Sequence, residues 1–359
     1  MADMFDYLKW RGDILFTQLP PNPVDALIFS TLSYISFDGI VPSDVNGWIS
    51  LGEFAESFLS QEDLTGKIRV KSDLKLLKAV AESERFKNVG LSNYRNILLD
   101  AEETQFSAIT FFLENGSAFL AFRGTDFSIT GWKEDFNMTF QESIPSQRLA
   151  LQYVEEFCSL ICAPIYLGGH SKGGNLAVYA AAKCEEEIQE KIIAVYNQDG
   201  PGFTSNLMGN PGYQAMVPKI HTYIPQSSLI GMLLEHEEPY IIIKSKQLGG
   251  AMQHEPYTWE VMGKDFILME EVTADSRFLN RTIKNWLAGM TNEERDVFFD
   301  TVFELLAAGD AELTNEIIRP KNILSYVKTL KADNEMRRLL AGELVNLIQA
   351  GRKEQIRKE

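Results

Sequence analysis

The stretch of this 359-residue chain best suited to covalent chemistry is Gly169-His170-Ser171-Lys172-Gly173. An apolar run, Ile165-Tyr166-Leu167, precedes it, and a helix-compatible run rich in small residues follows, with Ala177, Ala180, Ala181 and Ala182. Glycines two before and two after a serine suit a turn in which the flanking backbones nearly touch. Such a strand-to-helix turn, a nucleophile elbow, holds its serine in a strained conformation and projects the hydroxyl. The start of the following helix also brings free N–H groups beside that hydroxyl, where an oxyanion could be stabilised. The spacing therefore points to Ser171 as a nucleophile, with Gly169 and Gly173 making room for the turn.

A serine nucleophile needs a base, and imidazole is the usual one because it titrates near neutrality. Four histidines are available. His170 lies inside the turn and is expected to point away from the hydroxyl. His221 falls within an expected strand, a core position. His236 stands among Glu235, Glu237 and Glu238. His254 lies in Gln253-His254-Glu255-Pro256-Tyr257, a loop after the last expected strand.

A second stretch narrows the choice. An apolar strand ends in Phe122-Arg123-Gly124-Thr125, with Trp132 and Asp135 further on, and Gly169-His170-Ser171-Lys172-Gly173-Gly174-Asn175-Leu176-Ala177 follows later. This combination resembles the class-three lipase family and a related group of bacterial lipase-like proteins. The resemblance spans residues 20–270 loosely and is specific around 118–135 and 165–182. It implies an α/β-hydrolase fold, a mostly parallel central sheet flanked by helices, acting on an acyl ester or lipid without a cofactor or metal. It implies that the backbone N–H of Thr125, a position that in the family often adds its hydroxyl, and the N–H of Lys172 form an oxyanion hole. It also implies a lid over about 126–140. Arg123 and Asp135 are read as a structural ion pair.

Hydrolases of this fold order their triad as serine, acid, histidine, with the histidine after the last strand, which selects His254. The family's aspartate would fall in Tyr223–Gly231, where no aspartate stands and Ser228 lies near its place. One strand earlier, Tyr196-Asn197-Gln198-Asp199-Gly200-Pro201-Gly202-Phe203 offers Asp199, at a position some other lipases use. Asp199 is the candidate acid.

The elements that must position these residues are legible in outline. Asn22-Pro23 reads as a helix cap followed by proline at the first helical position. Helices are also expected at 47–59 and, capped by Ser72, at 73–86. Strands are expected at 94–99, 107–113 and 118–123, the last two joined by a hairpin at Asn115-Gly116. Ser146 is read as the cap of a further helix. Strand and helix signals alternate from 146 to 244, as in βαβ units with a parallel sheet. Beyond 274 only helix signals remain, among them a capping box at Thr291–Glu294, with Gly309 placed to close that helix. The chain thus divides into a hydrolase-like domain, 1–274, and a helical C-terminal region, 275–359.

Composition bounds the rest. Fifty Asp and Glu against 34 Lys and Arg give a formal charge of −16, which disfavours nucleic acid and anionic lipid head groups as partners. No apolar run approaches the ~20 residues of a membrane span. The first residues lack a basic segment followed by an apolar one, so no signal peptide is expected. Cys158, Cys162 and Cys184 are read as buried free thiols, the first two on one helix, which fits a cytoplasmic location. The same residues are compatible with a non-catalytic binding protein on a hydrolase scaffold, or with a thioesterase or acyltransferase. Oligomeric state is not legible in the sequence.

Overall fold

The structure, a computed structural model, describes residues 2–126, 128–308 and 320–356. Its centre is one sheet whose eight strands lie side by side in chain order: β1 (Ile49–Ser50), β2 (Gly90–Leu99), β3 (Thr104–Phe112), β4 (Ala118–Phe122), β5 (Ile165–His170), β6 (Ile192–Gln198), β7 (Ile220–Pro225) and β8 (Tyr240–Ile243). Strands β1 to β4 pair antiparallel and β4 to β8 pair parallel. The expected hairpin joins β3 to β4, with Gly116 at φ +82°, which glycine adopts at no steric cost.

Side-chain alternation gives the sheet two apolar faces. In β4, Phe119 and Ala121 enter one core, while Ala118, Leu120 and Phe122 enter the other. The first face is covered by α1 (Met4–Arg11), α2 (Pro23–Leu32), α3 (Leu51–Leu59) and α4 (Lys71–Ala81). Helix α5 (Ile129–Asn137) follows β4. The second face is covered by α6 (Pro145–Leu160) and α7 (Lys172–Lys183), with the short helices α8 (Glu186–Lys191), α9 (Ser205–Met208) and α10 (Pro211–Met216) nearby. Helix α11 (Gly250–Gln253) follows β8. A mixed sheet covered on both faces, with a glycine turn ending its central strand β5, is an α/β-hydrolase fold.

The first layer is fastened by a buried ion pair. Asn22 caps α2 as expected, and Asp25 in the first turn receives Arg85 Nε at 2.9 Å, Arg85 Nη2 at 2.6 Å and the Tyr7 hydroxyl at 2.7 Å. Arg85 also donates to the carbonyl of Ile14 at 2.7 Å.

Several boundaries move. The helix expected at 47–59 starts at Leu51, because Ile49 and Ser50 pair with Leu91 and Gly90. Helix α4 spans 71–81, with Val70 at its cap. The Asp73 carboxylate, rather than Ser72, takes up the N–H groups of Arg69 and Val70. Likewise Ile144, not Ser146, caps α6, with Gln147 accepting its N–H. Helix α6 ends at Leu160, so Cys162 is off the helix and exposed, while Cys158 and Cys184 are buried.

The C-terminal helices are α12 (Ala274–Ala288), α13 (Asn292–Ala307), α14 (Pro320–Ala332) and α15 (Asn334–Ile356). Thr291 and Glu294 form the expected capping box. Gly309 lies outside the described residues. Two sets of contacts tie these helices to the sheet. Ser276 donates to the carbonyl of Ser228 and Asn280 to that of Met232. On the other side, Phe299 stacks on Phe136 of α5 at 4.5 Å and Arg295 donates to the carbonyl of Thr139 at 2.7 Å. No helix among the described residues is long and apolar enough to cross a membrane.

Candidate active site

Ser171 stands between β5 and α7 with φ +59° and ψ −133°, a backbone region that residues other than glycine adopt only under strain. The crowding explains the glycines. A Cβ on Gly169 would lie 2.3 Å from the carbonyl carbon of Gly173, and one on Gly173 would lie 2.0 Å from the carbonyl oxygen of Phe122. Lys172 opens α7, whose first N–H groups lack intrahelical acceptors. The turn has the geometry of a nucleophile elbow.

Asp199 follows β6 directly and is fully buried, with φ +55°. Asn175 of α7 holds the loop behind it through the carbonyls of Pro201 and Gly202, at 3.1 and 2.9 Å. Gly200 is needed here, since a Cβ would sit 2.5 Å from the carbonyl oxygen of Ser171. The Asp199 carboxylate is 2.6 Å from His254 Nδ1. Its other oxygen accepts the Ser228 hydroxyl at 2.5 Å and the N–H of Gly231 at 3.2 Å. A carboxylate only accepts, so Nδ1 of His254 is the donor of this bond. Ser228 of the loop after β7 thus touches the carboxylate supplied from one strand earlier.

His170 bridges this histidine to the elbow. Its Nε2 donates to the carbonyl of His254 at 2.7 Å, and its Nδ1 accepts the Tyr34 hydroxyl at 3.0 Å. Burial, seconded by nearby His254 and Arg69, holds the His170 pKa well below the usual value. Gly124 also answers to this cluster, for a Cβ there would meet the Tyr34 hydroxyl at 2.1 Å. Among the described residues, no hydrogen bond joins the Ser171 hydroxyl to the His254 ring.

On the other side of the serine, Thr125 donates its hydroxyl to both oxygens of Asp135, at 2.7 and 2.6 Å. The Lys172 ammonium, fully buried, donates to Glu134 at 2.7 Å and to the carbonyl of Gln105 at 2.8 Å. Glu134 also accepts the N–H groups of Gln105 and Ser146, at 3.1 and 2.9 Å. Arg123 and Asp135 therefore do not pair with each other. Arg123 reaches Asp126 at 3.5 Å and Asn96 at 3.1 Å, while Asp135 is taken up by the Thr125 hydroxyl. Burial pushes the Asp135 carboxyl up to about 6, against the opposing pull of Lys172 and of the Thr125 hydroxyl.

The remaining histidines are placed elsewhere. His221 is half-buried in β7 and stacks on Tyr196 at 5.5 Å. His236 binds Glu238 at 3.1 Å and the carbonyl of Gly231 at 2.8 Å. Glu238, although buried, is held down to about 2 by His236, Thr222 and Tyr213.

Fold and turn together define an α/β-hydrolase fold with an elbow-like turn at Ser171. Residues 80–304 match the family model described as Mbeg1-like, and the chain belongs to that family. No curated protein matches it. Among solved structures it is similar to a mutant form of MDLA from Penicillium cyclopium, at 15% identity over 68% of this chain and 83% of that one, with a TM-score of 0.38. It is also similar to the native Rhizomucor miehei lipase propeptide complex, at 14% identity over 67% and 79%, with a TM-score of 0.39. A third is M37 lipase, at 16% identity over 58% and 69%, with a TM-score of 0.38.

Proposed function

We propose that the protein hydrolyses carboxylic esters, of lipids in particular, through an acyl-enzyme on Ser171. The observation that carries this reading is the 2.6 Å bond from Asp199 to His254 Nδ1, beside a serine held in a strained turn. Nε2 of His254 takes the Ser171 proton as the hydroxyl attacks the acyl carbon. The carbonyl oxygen, now negative, is met by the N–H groups of Thr125 and Lys172, each worth ~2.7–4 kcal/mol in comparable sites. The imidazolium returns its proton to the leaving alkoxide. Water, deprotonated by the same imidazole, then attacks the acyl-serine, and the imidazolium returns that proton to the Ser171 oxygen as the acid leaves. Asp199 keeps the ring in the required tautomer and stabilises its charged form.

Labelling by a fluorophosphonate probe, with turnover of p-nitrophenyl esters, tests the reading. Wild type should label and turn over, and Ser171→Ala should do neither. Equal labelling of the two proteins would place the reactive nucleophile elsewhere than Ser171, and no labelling of the folded wild type would favour a binding role.

A further inference from the structure

Helices α14 and α15 depart from the charge balance of the chain. Residues 320–356 contain seven Lys and Arg against four Asp and Glu, in a protein with 34 against 50. Helix α15 also sorts its charges by side. Glu343 accepts the indole N–H of Trp286 at 3.1 Å and Glu354 the amide of Asn285 at 2.7 Å, so both acids turn toward α12. The opposite side presents Leu344, Val345 and Ile348 to solvent, with Leu344 57% exposed. Arg337 and Arg338 stand about two turns before this row and Arg352 one turn after it, all three exposed. Helix α14 repeats the arrangement. Ile323, Leu324 and Val327 are exposed, Leu324 at 71%, and Lys328 and Lys331 follow at helical spacing. The two exposed acids, Asp333 and Glu335, sit at the joint, where Asp333 caps α15.

An exposed apolar row with cations at its ends and acids turned inward is the pattern of a helix lying in a lipid interface. Its apolar side chains enter the acyl boundary while long basic side chains reach the head groups. We propose that the outer face of α14 and α15 docks on an anionic lipid surface. The charge of −16 does not oppose this. At physiological salt, charges beyond about 8 Å are largely screened, so the local face decides. This revises the expectation drawn from the whole-chain charge. The docking needs no nucleophile at Ser171, and it would hold the protein where lipid esters are found.

Flotation of the full chain with phosphatidylcholine vesicles, with and without phosphatidylglycerol, tests the proposal. Wild type should float with the anionic vesicles, bind the neutral ones at least about tenfold more weakly, and be released as salt rises. The variant R337E/R338E/R352E should lose anionic binding by a similar factor, and L344D/I348D should lose it also. All five positions are exposed, and gel filtration with circular dichroism checks that the variants are folded. Should the charge reversal not fold, R337A/R338A replaces it. Ser171→Ala should float like wild type, which separates this proposal from the hydrolase reading. Absence of wild-type binding, equal binding to both vesicle types, or undiminished binding by the folded variants overturns it. So does self-association of the wild type that the same substitutions abolish, for the occupant would then be a second copy.

Discussion

The imidazole of His170 donates from Nε2 to the backbone carbonyl of His254 across 2.7 Å, and the two rings lie with centroids 4.4 Å apart. The residue preceding the candidate nucleophile therefore carries the loop that bears the candidate base. It can do so only while neutral, since Nδ1 must accept from Tyr34. Tyr34→Phe leaves that nitrogen buried without a donor, which should cost about 1–3 kcal/mol of stability. It should also lower kcat for ester hydrolysis more than it changes KM.

The same ring sets a pH dependence. The native state holds the His170 pKa well below 6.5, while the unfolded chain takes up the proton near that value. The unfolded state thus binds more protons below about 6.5, and stability falls as pH drops through it, by at most ~1.4 kcal/mol per pH unit. Urea titrations from pH 7.5 downward should show this slope in wild type and a shallower one in His170→Gln. Parallel slopes would assign the proton to another group.

Asp199 gathers three donors, and the one from His254 sets the ring. In Asp199→Asn the amide can donate to Nδ1 and favours the wrong tautomer, so kcat should fall on the order of 10⁴-fold. Ser228→Ala removes one of the three contacts and should lower kcat only roughly tenfold. An Asp199→Asn enzyme as active as wild type would place the acid elsewhere.

Asp135 trades stability for its contact with Thr125. Its carboxyl is raised by burial from an ordinary 3.8 to about 6, so the native state binds the extra proton between those values. Stability should fall as pH rises through that window. Asp135→Asn, which mimics the protonated form, should match wild type near pH 3.8 and exceed it above pH 6. The difference is on the order of 1–2 kcal/mol, since the side chain is partly exposed. The same substitution should slow ester hydrolysis, because Thr125 loses a charged acceptor. Denaturation midpoints across the window, with rates at pH 7, check both halves.

Arg85 and Asp25 have no solvent-exposed side-chain surface. Arg85→Ala leaves a carboxylate buried without its cation, and the fold should lose about 3–5 kcal/mol. A fall in the urea midpoint near that of a typical surface substitution would mean that water reaches Asp25.

What the sequence revealed is what local periodicity and local turns control. The strand 118–122, the hairpin at Gly116 and the bend around Ser171 all carry their signal in residues a few positions apart. Strand β1 is two residues long and exists only because Leu91 and Gly90 pair with it, so it reads as the start of a helix. Tyr34 gave no signal, for its partner His170 is 136 residues away. Glu134 gave no signal either, for only the fold brings Lys172 and Gln105 to it. Arg123 and Asp135 looked like a pair because sequence shows their charges but not the direction of the turn between them.

The torsion angles at position 171 have a thermodynamic corollary. A residue with a side chain is held there against a preference of about 1–3 kcal/mol, which glycine would relieve. Ser171→Gly should therefore melt at a higher temperature than the wild type while lacking the hydroxyl. Any selection for heat resistance alone would drive this polypeptide toward an inert scaffold.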